Sequence, residues 1–196
     1  MSSLVVGPHV PSDRTRSRDA VTVAVFIALG CALLAARAWA TPMTGAARVT
    51  AGVLLFTSIL VGSLVVPAGR GIGRVSPAAA SVVGLTALGG AALVAGPAVP
   101  LPAAGWVLPL SLLAAVAEEA LFRRVAYSRL ERWGAVVAVV GSASLFAAVH
   151  LPLYGVAAVP VDLGAGLVFG WQRWVTGSWA TPAATHAAAN LVAVLR

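Results

Sequence analysis

Apolar runs of roughly seventeen to twenty residues recur along the whole chain, and they restrict its fold more than any other feature. A helix of about this length crosses a bilayer core of about 30 Å, and a lipid-embedded backbone must satisfy its own hydrogen bonds. Only 10% of the residues are charged and 60% are hydrophobic, which leaves too little polar sequence to cover a soluble bundle. The sequence therefore predicts an all-α, polytopic transmembrane helical bundle.

Helix breakers divide the chain into about seven predicted membrane helices with short loops between them. The predicted helices span about 20–39, 49–66, 78–95, 106–128, 134–151, 160–176 and 181–195. Pro152 and Pro160 are interpreted as breaks, because proline removes a backbone donor and clashes with the preceding turn. Residues 20–196 are thus predicted to form a single transmembrane domain.

Residues 1–19 are polar, with three arginines between positions 14 and 18, and they predict a disordered basic tail. The first apolar run ends in Ala38-Trp39-Ala40, a small-x-small pattern of the kind that signal peptidase cuts. This run is long for a signal peptide and further apolar runs follow it. We therefore favour an uncleaved first helix, with cleavage as the alternative.

All thirteen basic residues are arginines, and they lie between the apolar runs rather than along one face. With the amino terminus inside, ten of them fall on inner segments and only Arg37, Arg48 and Arg196 on outer ones. This asymmetry follows the positive-inside rule, so the tail is predicted to be cytoplasmic. The net charge of +7 then reflects topology and not nucleic-acid binding. The Ala-, Gly-, Val- and Arg-rich composition is typical of a GC-rich genome and favours a bacterial cell membrane.

Six polar residues lie inside the apolar runs, where ionisable groups are costly and are functional candidates by default. They are Glu118, Glu119, Arg123, His150, His186 and Asn190. Glu119 and Arg123 are four residues apart and predict an ion pair on one helix face, whereas Glu118 points about 100° away. Structural roles explain each feature alone: a helix leaving the membrane, or histidines in interhelical hydrogen bonds. Their occurrence together favours a functional site.

The spacing of these residues carries a family resemblance. Glu118-Glu119-x-x-x-Arg123, Phe146-x-x-x-His150 and His186-x-x-x-Asn190 resemble the motifs of the CPBP family of intramembrane proteases. That family includes the CAAX prenyl endopeptidases and the bacterial Abi proteins. The resemblance covers about 106–195, the predicted catalytic core, and includes a Gly166-to-Trp179 segment similar to the family's penultimate helix and turn.

The resemblance implies an endopeptidase that hydrolyses a peptide bond in a membrane-associated protein or peptide within the lipid bilayer. Glu118 would be the general base and His150 would orient the attacking water. His186 and Asn190 would donate hydrogen bonds to the oxyanion. Glu119, Arg123 and Phe146 would support this arrangement.

Two histidines and a glutamate also match a catalytic zinc ligand set, and members of this family have been called metalloproteases. The histidines lack the HExxH spacing, however, and the resemblance favours a glutamate-activated water, so no metal and no other cofactor is predicted. Two other functions stay open: a non-catalytic bacteriocin-immunity or scaffold protein on the same fold, and a proton-coupled transporter. The complete motif set favours an enzyme, and the lack of repeated halves disfavours a transporter.

Three further expectations concern packing and depth. The Gly166-x-x-x-Gly170 motif predicts close helix packing, and Asp162 is interpreted as an interfacial or N-cap residue. With the fourth helix ending near 128, Glu118 lies about eleven residues above the inner turn and His150 about sixteen. At 1.5 Å per residue their depths differ by roughly 8 Å, which helix tilt or a longer fourth helix must absorb.

Overall fold

The computed structural model describes residues 13–40, 42–69, 71, 73–95 and 105–195, and within these ranges it contains no strand. The all-α prediction is confirmed. A π-helical segment (Ala120–Ala126) joins α4 to α5, so that these run as one continuous helix. The described residues therefore form seven long helices. The α-helices are α1 (Asp13–Ala36), α2 (Gly45–Val65), α3 (Pro77–Ala95), α4 (Val107–Glu119), α5 (Tyr127–Leu130), α6 (Ala135–Tyr154), α7 (Val159–Thr176) and α8 (Ala180–Leu195).

Among the described residues, three helical segments are long and apolar enough to cross a membrane: Ala20–Ala40, Gly45–Val65 and Ala135–Tyr154. The Pro77–Ala91 part of α3 is a shorter apolar segment. Large apolar side chains cover the outside of these helices, which is the surface expected to face lipid. The chain is a membrane protein, while the number of spans and their orientation stay predictions.

The first helix begins earlier than predicted. α1 starts at Asp13, so residues 13–19 are helical and not part of a disordered tail, whereas residues 1–12 lie outside the described residues. Pro11 is the last breaker before the apolar run, so nothing stops the helix from extending back through the arginine-rich stretch. At its other end, α1 passes into a 3₁₀ turn, Arg37–Ala40.

Neither predicted proline break separates the helices as expected. α6 continues past Pro152 to Tyr154 and stops at Gly155, whose φ is 76°. A proline in the last turn costs one helical hydrogen bond without blocking the two residues that follow. Pro160 lies in the first turn of α7, where its missing N–H has no helical partner to lose.

The helix that carries the two glutamates is longer than predicted. The π-helical segment and α5 extend it to a 3₁₀ turn at Glu131–Trp133, and the chain reverses at Gly134, whose φ is 105°. Glu118 stands sixteen residues before Gly134 and His150 sixteen residues after it. The expected mismatch in depth is wrong, because the longer helix places both residues at matching distances from the turn.

Helix α6, which carries His150, packs closely against α7. A Cβ atom added to Gly166 would lie 2.9 Å from the Cα of Ala143, and one added to Gly170 would lie 3.3 Å from the Cα of Val139. The predicted packing role of the two glycines is confirmed. On the other side α4 contacts α8 and α2, so α4, α6 and α8 meet around one interior space.

Candidate active site

The four predicted catalytic side chains line one cavity of about 270 Å³, which we call the site cavity. Glu118 comes from α4, His150 from α6, and His186 and Asn190 from α8. The four-residue spacings seen in the sequence therefore become neighbouring stripes on three helices. The other polar and aromatic residues of the lining are Arg37, Ser111, Phe146, Tyr154, Asp162 and Phe169.

Glu119 lies beside the site cavity in an ionic cluster whose carboxylate and guanidinium are closed to solvent. Its Oε1 accepts a hydrogen bond from Arg123 Nη1 at 3.1 Å, as predicted, and lies 3.1 Å from His186 Nδ1. Both Glu119 and Arg123 are fully buried, and Arg123 Nη2 also donates to the carbonyl oxygen of Gly166 at 2.8 Å. We call Glu119, Arg123 and His186 the buried cluster. It ties the glutamate helix to α7 and α8.

Aromatic rings enclose the buried cluster. The guanidinium of Arg123 lies 4.9 Å from the ring centre of Phe146 and 5.3 Å from that of Phe169. Such contacts stabilise a cation that is withdrawn from water. Phe146 also packs against His150, with ring centres 4.5 Å apart, and Phe169 stacks on His186 at 4.8 Å. The ring centre of Phe146 also lies 5.7 Å from that of His186, so Phe146 contacts Arg123 and both predicted catalytic histidines.

Glu118 faces the site cavity, although only 3% of its surface is exposed. Its Oε1 lies 2.5 Å from Nη1 of Arg37, and its Oε2 lies 3.8 Å from Nε2 of His150. The other ring nitrogen of His150, Nδ1, lies 2.7 Å from the carbonyl oxygen of Phe146. Because a carbonyl only accepts, Nδ1 carries a hydrogen, and in the neutral ring Nε2 is then an acceptor directed toward Glu118.

Asn190 is anchored at the opposite side of the site cavity. Its Nδ2 donates to the carbonyl oxygen of Ser111 on α4 at 3.1 Å. An amide nitrogen carries two hydrogens, so one such bond leaves a second N–H for another acceptor. Asn190 can therefore be held in place and still act as a donor.

Two charged residues of the site cavity were not predicted to belong to it. Arg37 was counted as a charge on an outer segment, yet it pairs with Glu118. Asp162 is neither the N-cap of α7, which is Ala158, nor only an interfacial residue, since it lies in the first turn and lines the site cavity. One signal was present: Arg37 is the only charged residue between Ala20 and Ala40, and such residues usually have a partner.

A second polar network, made by Gln172 and Arg173, joins α7 to neighbouring segments. Arg173 was interpreted as a cytoplasmic charge, but it is almost fully buried and donates through Nε to the carbonyl oxygen of Arg123 at 3.1 Å. Gln172 is fully buried and donates to the carbonyl oxygen of Ala80 and to Thr185 Oγ1, both at 2.9 Å. These bonds fix the helix whose glycines hold α6.

In the parts of the chain that the structure describes, no three His, Cys, Asp or Glu side chains gather into a group able to hold a metal ion. Glu118 and His150 approach each other, but His186 is turned toward Glu119. The metal-free chemistry stays a prediction.

Residues 100–192, slightly less than half of the chain, match the family model of Rce1-like, type II CAAX prenyl endopeptidases. No curated protein and no solved structure matches the chain. The matched range contains Glu118 and Asn190 and everything predicted between them, but neither α1 nor α2. By this match, the region that carries the site is similar to the Rce1-like type II CAAX prenyl endopeptidases, as the resemblance predicted.

Proposed function

We propose that this protein is an intramembrane endopeptidase that hydrolyses a peptide bond in a membrane-associated protein or peptide. The proposal rests on one cavity in which Glu118, His150, His186 and Asn190 meet, within a region that matches a protease family. A base, a second acceptor and two donors are the groups that hydrolysis of an amide requires.

Glu118 and His150 are placed to activate water. A separation of 3.8 Å between Glu118 Oε2 and His150 Nε2 is too long for a direct hydrogen bond, but one water can bond to both atoms. Such a water gives one hydrogen to each acceptor and turns a lone pair toward the substrate carbonyl carbon. Glu118 then takes a proton as the oxygen–carbon bond forms.

His186 and Asn190 are placed to stabilise the negative oxygen that develops on the carbonyl. Asn190 offers the N–H that Ser111 leaves free. His186 already directs Nδ1 at Glu119, so its donation through Nε2 requires a ring with hydrogens on both nitrogens. Glu119 accepts the Nδ1 hydrogen and fixes the ring in this orientation.

The second half of the reaction returns the proton. As the tetrahedral intermediate collapses, the carbon–nitrogen bond breaks and the leaving amine takes the proton from Glu118. The new carboxyl group carries the water oxygen and its remaining hydrogen, which passes to the released amine or to bulk water, so Glu118 is restored as a base. Arg123 and Phe146 do not touch the reacting atoms and act as positioning residues.

The proposal is tested by comparing membranes of cells that express the wild-type chain or Glu118→Gln. Mass spectrometry of peptide termini should find membrane proteins with new ends only when Glu118 is present. Glu131→Gln makes the same chemical change at an exposed turn and is the matched control. A cleaved terminus that counts is one lost in Glu118→Gln and kept in Glu131→Gln. If no such terminus is found, the protein is a non-catalytic member of its family.

A further inference from the structure

Arg37 is the one residue from outside the family-matched range that bonds to a proposed catalytic group in the described structure. Its Nη1 lies 2.5 Å from Glu118 Oε1, and its side chain is 13% exposed. The guanidinium also lies 6.0 Å from the ring centre of Phe56 on α2. Helices α1 and α2 thus place a cation beside the glutamate that is proposed to accept a proton from water.

The Arg37 guanidinium is incompletely bonded in this position. Its Nε–H is buried and has no hydrogen-bond partner among the described residues. A buried donor without a partner costs free energy, and a guanidinium matches a carboxylate best through two parallel N–H bonds. The pair with Glu118 therefore leaves a donor on Arg37 that a second anion can use.

Arg37 also stands between two cavities. A larger cavity of about 430 Å³ lies beside the site cavity, and both are lined by Arg37, Ser111, Ala114 and Tyr154. Apolar residues of α1, α2 and α4 form most of the larger cavity, including Leu33, Leu55 and Leu110. Its walls suit apolar side chains or another apolar group.

The two cavities differ in the charged residues that line them. Among the described residues, the lining of the larger cavity contains Arg37 and Arg48 and no acidic residue, whereas the site cavity contains Glu118 and Asp162. A second carboxylate is repelled from the site cavity and attracted to the larger one. An anion that reaches Arg37 therefore approaches it from the larger cavity.

We propose that Arg37 binds a carboxylate of the substrate, with the adjoining apolar residues in the larger cavity and the scissile bond in the site cavity. In the resting protein Arg37 holds the Oε1 of Glu118. The incoming carboxylate takes over the guanidinium, and Glu118 is released to act on water. This inference rests on the proposed function and adds to it a residue, Arg37, that selects a substrate by its carboxylate and releases Glu118 when the substrate binds.

Binding measurements on the full chain in lipid nanodiscs test the Arg37 site without relying on turnover. The probes are N-acetyl-Leu-Val-Leu as the free acid, the same peptide as the amide, and N-acetyl-Leu-Val-Glu amide. The acid should bind the wild-type protein roughly 10- to 100-fold more tightly than the amide. If the glutamyl amide binds as tightly as the acid, a side-chain carboxylate is recognised; if only the acid binds, the chain terminus is recognised.

Four variants locate the preference. Glu118→Gln removes the competing anion, so the acid should bind it more tightly than it binds the wild type. Arg37→Gln should bind acid and amide equally, and Arg37→Lys, which keeps the charge but loses the fork, should retain a several-fold weaker preference. Arg48→Gln removes a cation from the same cavity without touching Glu118, so it should weaken the preference for the acid less than Arg37→Gln does.

Several results overturn the inference: equal binding of acid and amide by both wild type and Glu118→Gln, an undiminished preference in Arg37→Gln or Arg37→Lys, or loss of the preference in Arg48→Gln alone. Cleavage assays separate this outcome from failure of the proposed function. Glu118-dependent cleavage with equal binding of the two peptides leaves an endopeptidase without the Arg37 site. A preference for the acid without such cleavage leaves the carboxylate site and removes the endopeptidase.

Discussion

Two adjacent glutamates divide the centre of this molecule into two regions of opposite character. Glu119 belongs to the buried cluster, where its carboxylate is fully buried and Arg123 and His186 share one of its oxygens. Glu118 belongs to what we call the cavity cluster, with Arg37 and His150, and it lines the site cavity. The buried cluster draws all its partners from the family-matched region, whereas the cavity cluster takes Arg37 from the 3₁₀ turn that follows α1. The difference indicates that one glutamate is fixed for structure and the other is free to exchange partners.

The largest expected effect separates the two regions by chemistry. Glu118→Gln keeps the size of the side chain but removes the proton acceptor, so the cleavage rate should fall by about 10²- to 10⁴-fold. The fold should persist, because a neutral amide is less costly to bury than a carboxylate. Cleavage rate and melting temperature are measured on the same detergent preparation. A variant that cleaves at the wild-type rate would show that the cavity cluster holds no base.

The second effect belongs to the opposite wall of the site cavity. Asn190→Ala removes an oxyanion donor, and kcat should fall by about 10²- to 10³-fold with little change in KM. The carbonyl oxygen of Ser111 also loses its bond from Asn190, so the melting temperature is measured in parallel. Asn190→Asp is a control that keeps the shape but replaces the donor with an acceptor, and it should be equally slow. Normal turnover by Asn190→Asp would mean that Asn190 has only a structural role.

Breaking the buried cluster should have a smaller effect on catalysis and a larger one on stability. Glu119→Gln leaves the Arg123 cation buried without its carboxylate, which should lower the free energy of unfolding by about 3–5 kcal/mol. Denaturant titration in detergent measures this loss, and the cleavage rate of the folded fraction should fall less than in Glu118→Gln. If Glu119→Gln is as stable as the wild type yet inactive, the two glutamates have exchanged the roles assigned here.

Removal of metal ions is expected to have no effect on the cleavage rate. Dialysis of the purified protein against a strong chelator should leave the cleavage rate unchanged, since the proposed chemistry uses a water bound by Glu118 and His150. Metal content is measured before and after dialysis. Stoichiometric zinc, with activity that is lost on chelation and restored by zinc, would make Glu118 and His150 ligands and would remove the distinction drawn for the cavity cluster.

Local spacing predicted the parts of the site that a single helix determines. Glu119 with Arg123, and Phe146 with His150, are pairs four residues apart, and helical geometry alone brings them together. Arg37 and Glu118 are 81 residues apart, and Gln172 contacts Ala80 across 92. Such pairs depend on how whole helices pack, which composition and periodicity do not encode. Counting Arg37 as a topological charge concealed the partner that reaches Glu118 from the 3₁₀ turn after α1.

The π-helical segment Ala120–Ala126 gives the glutamate helix one place that can take up a change in chain length. A π-helical turn is equivalent to one residue inserted into an α-helix. Because the wider turn absorbs that residue, deleting one residue there would let the helix close into regular geometry with little rotation of Glu118 and Glu119 relative to α5. The same deletion within α5 would rotate both glutamates by about 100° relative to the turn at Gly134, and neither would then meet its partners. The glutamate helix can therefore lose a residue inside the π-helical segment more readily than in α5.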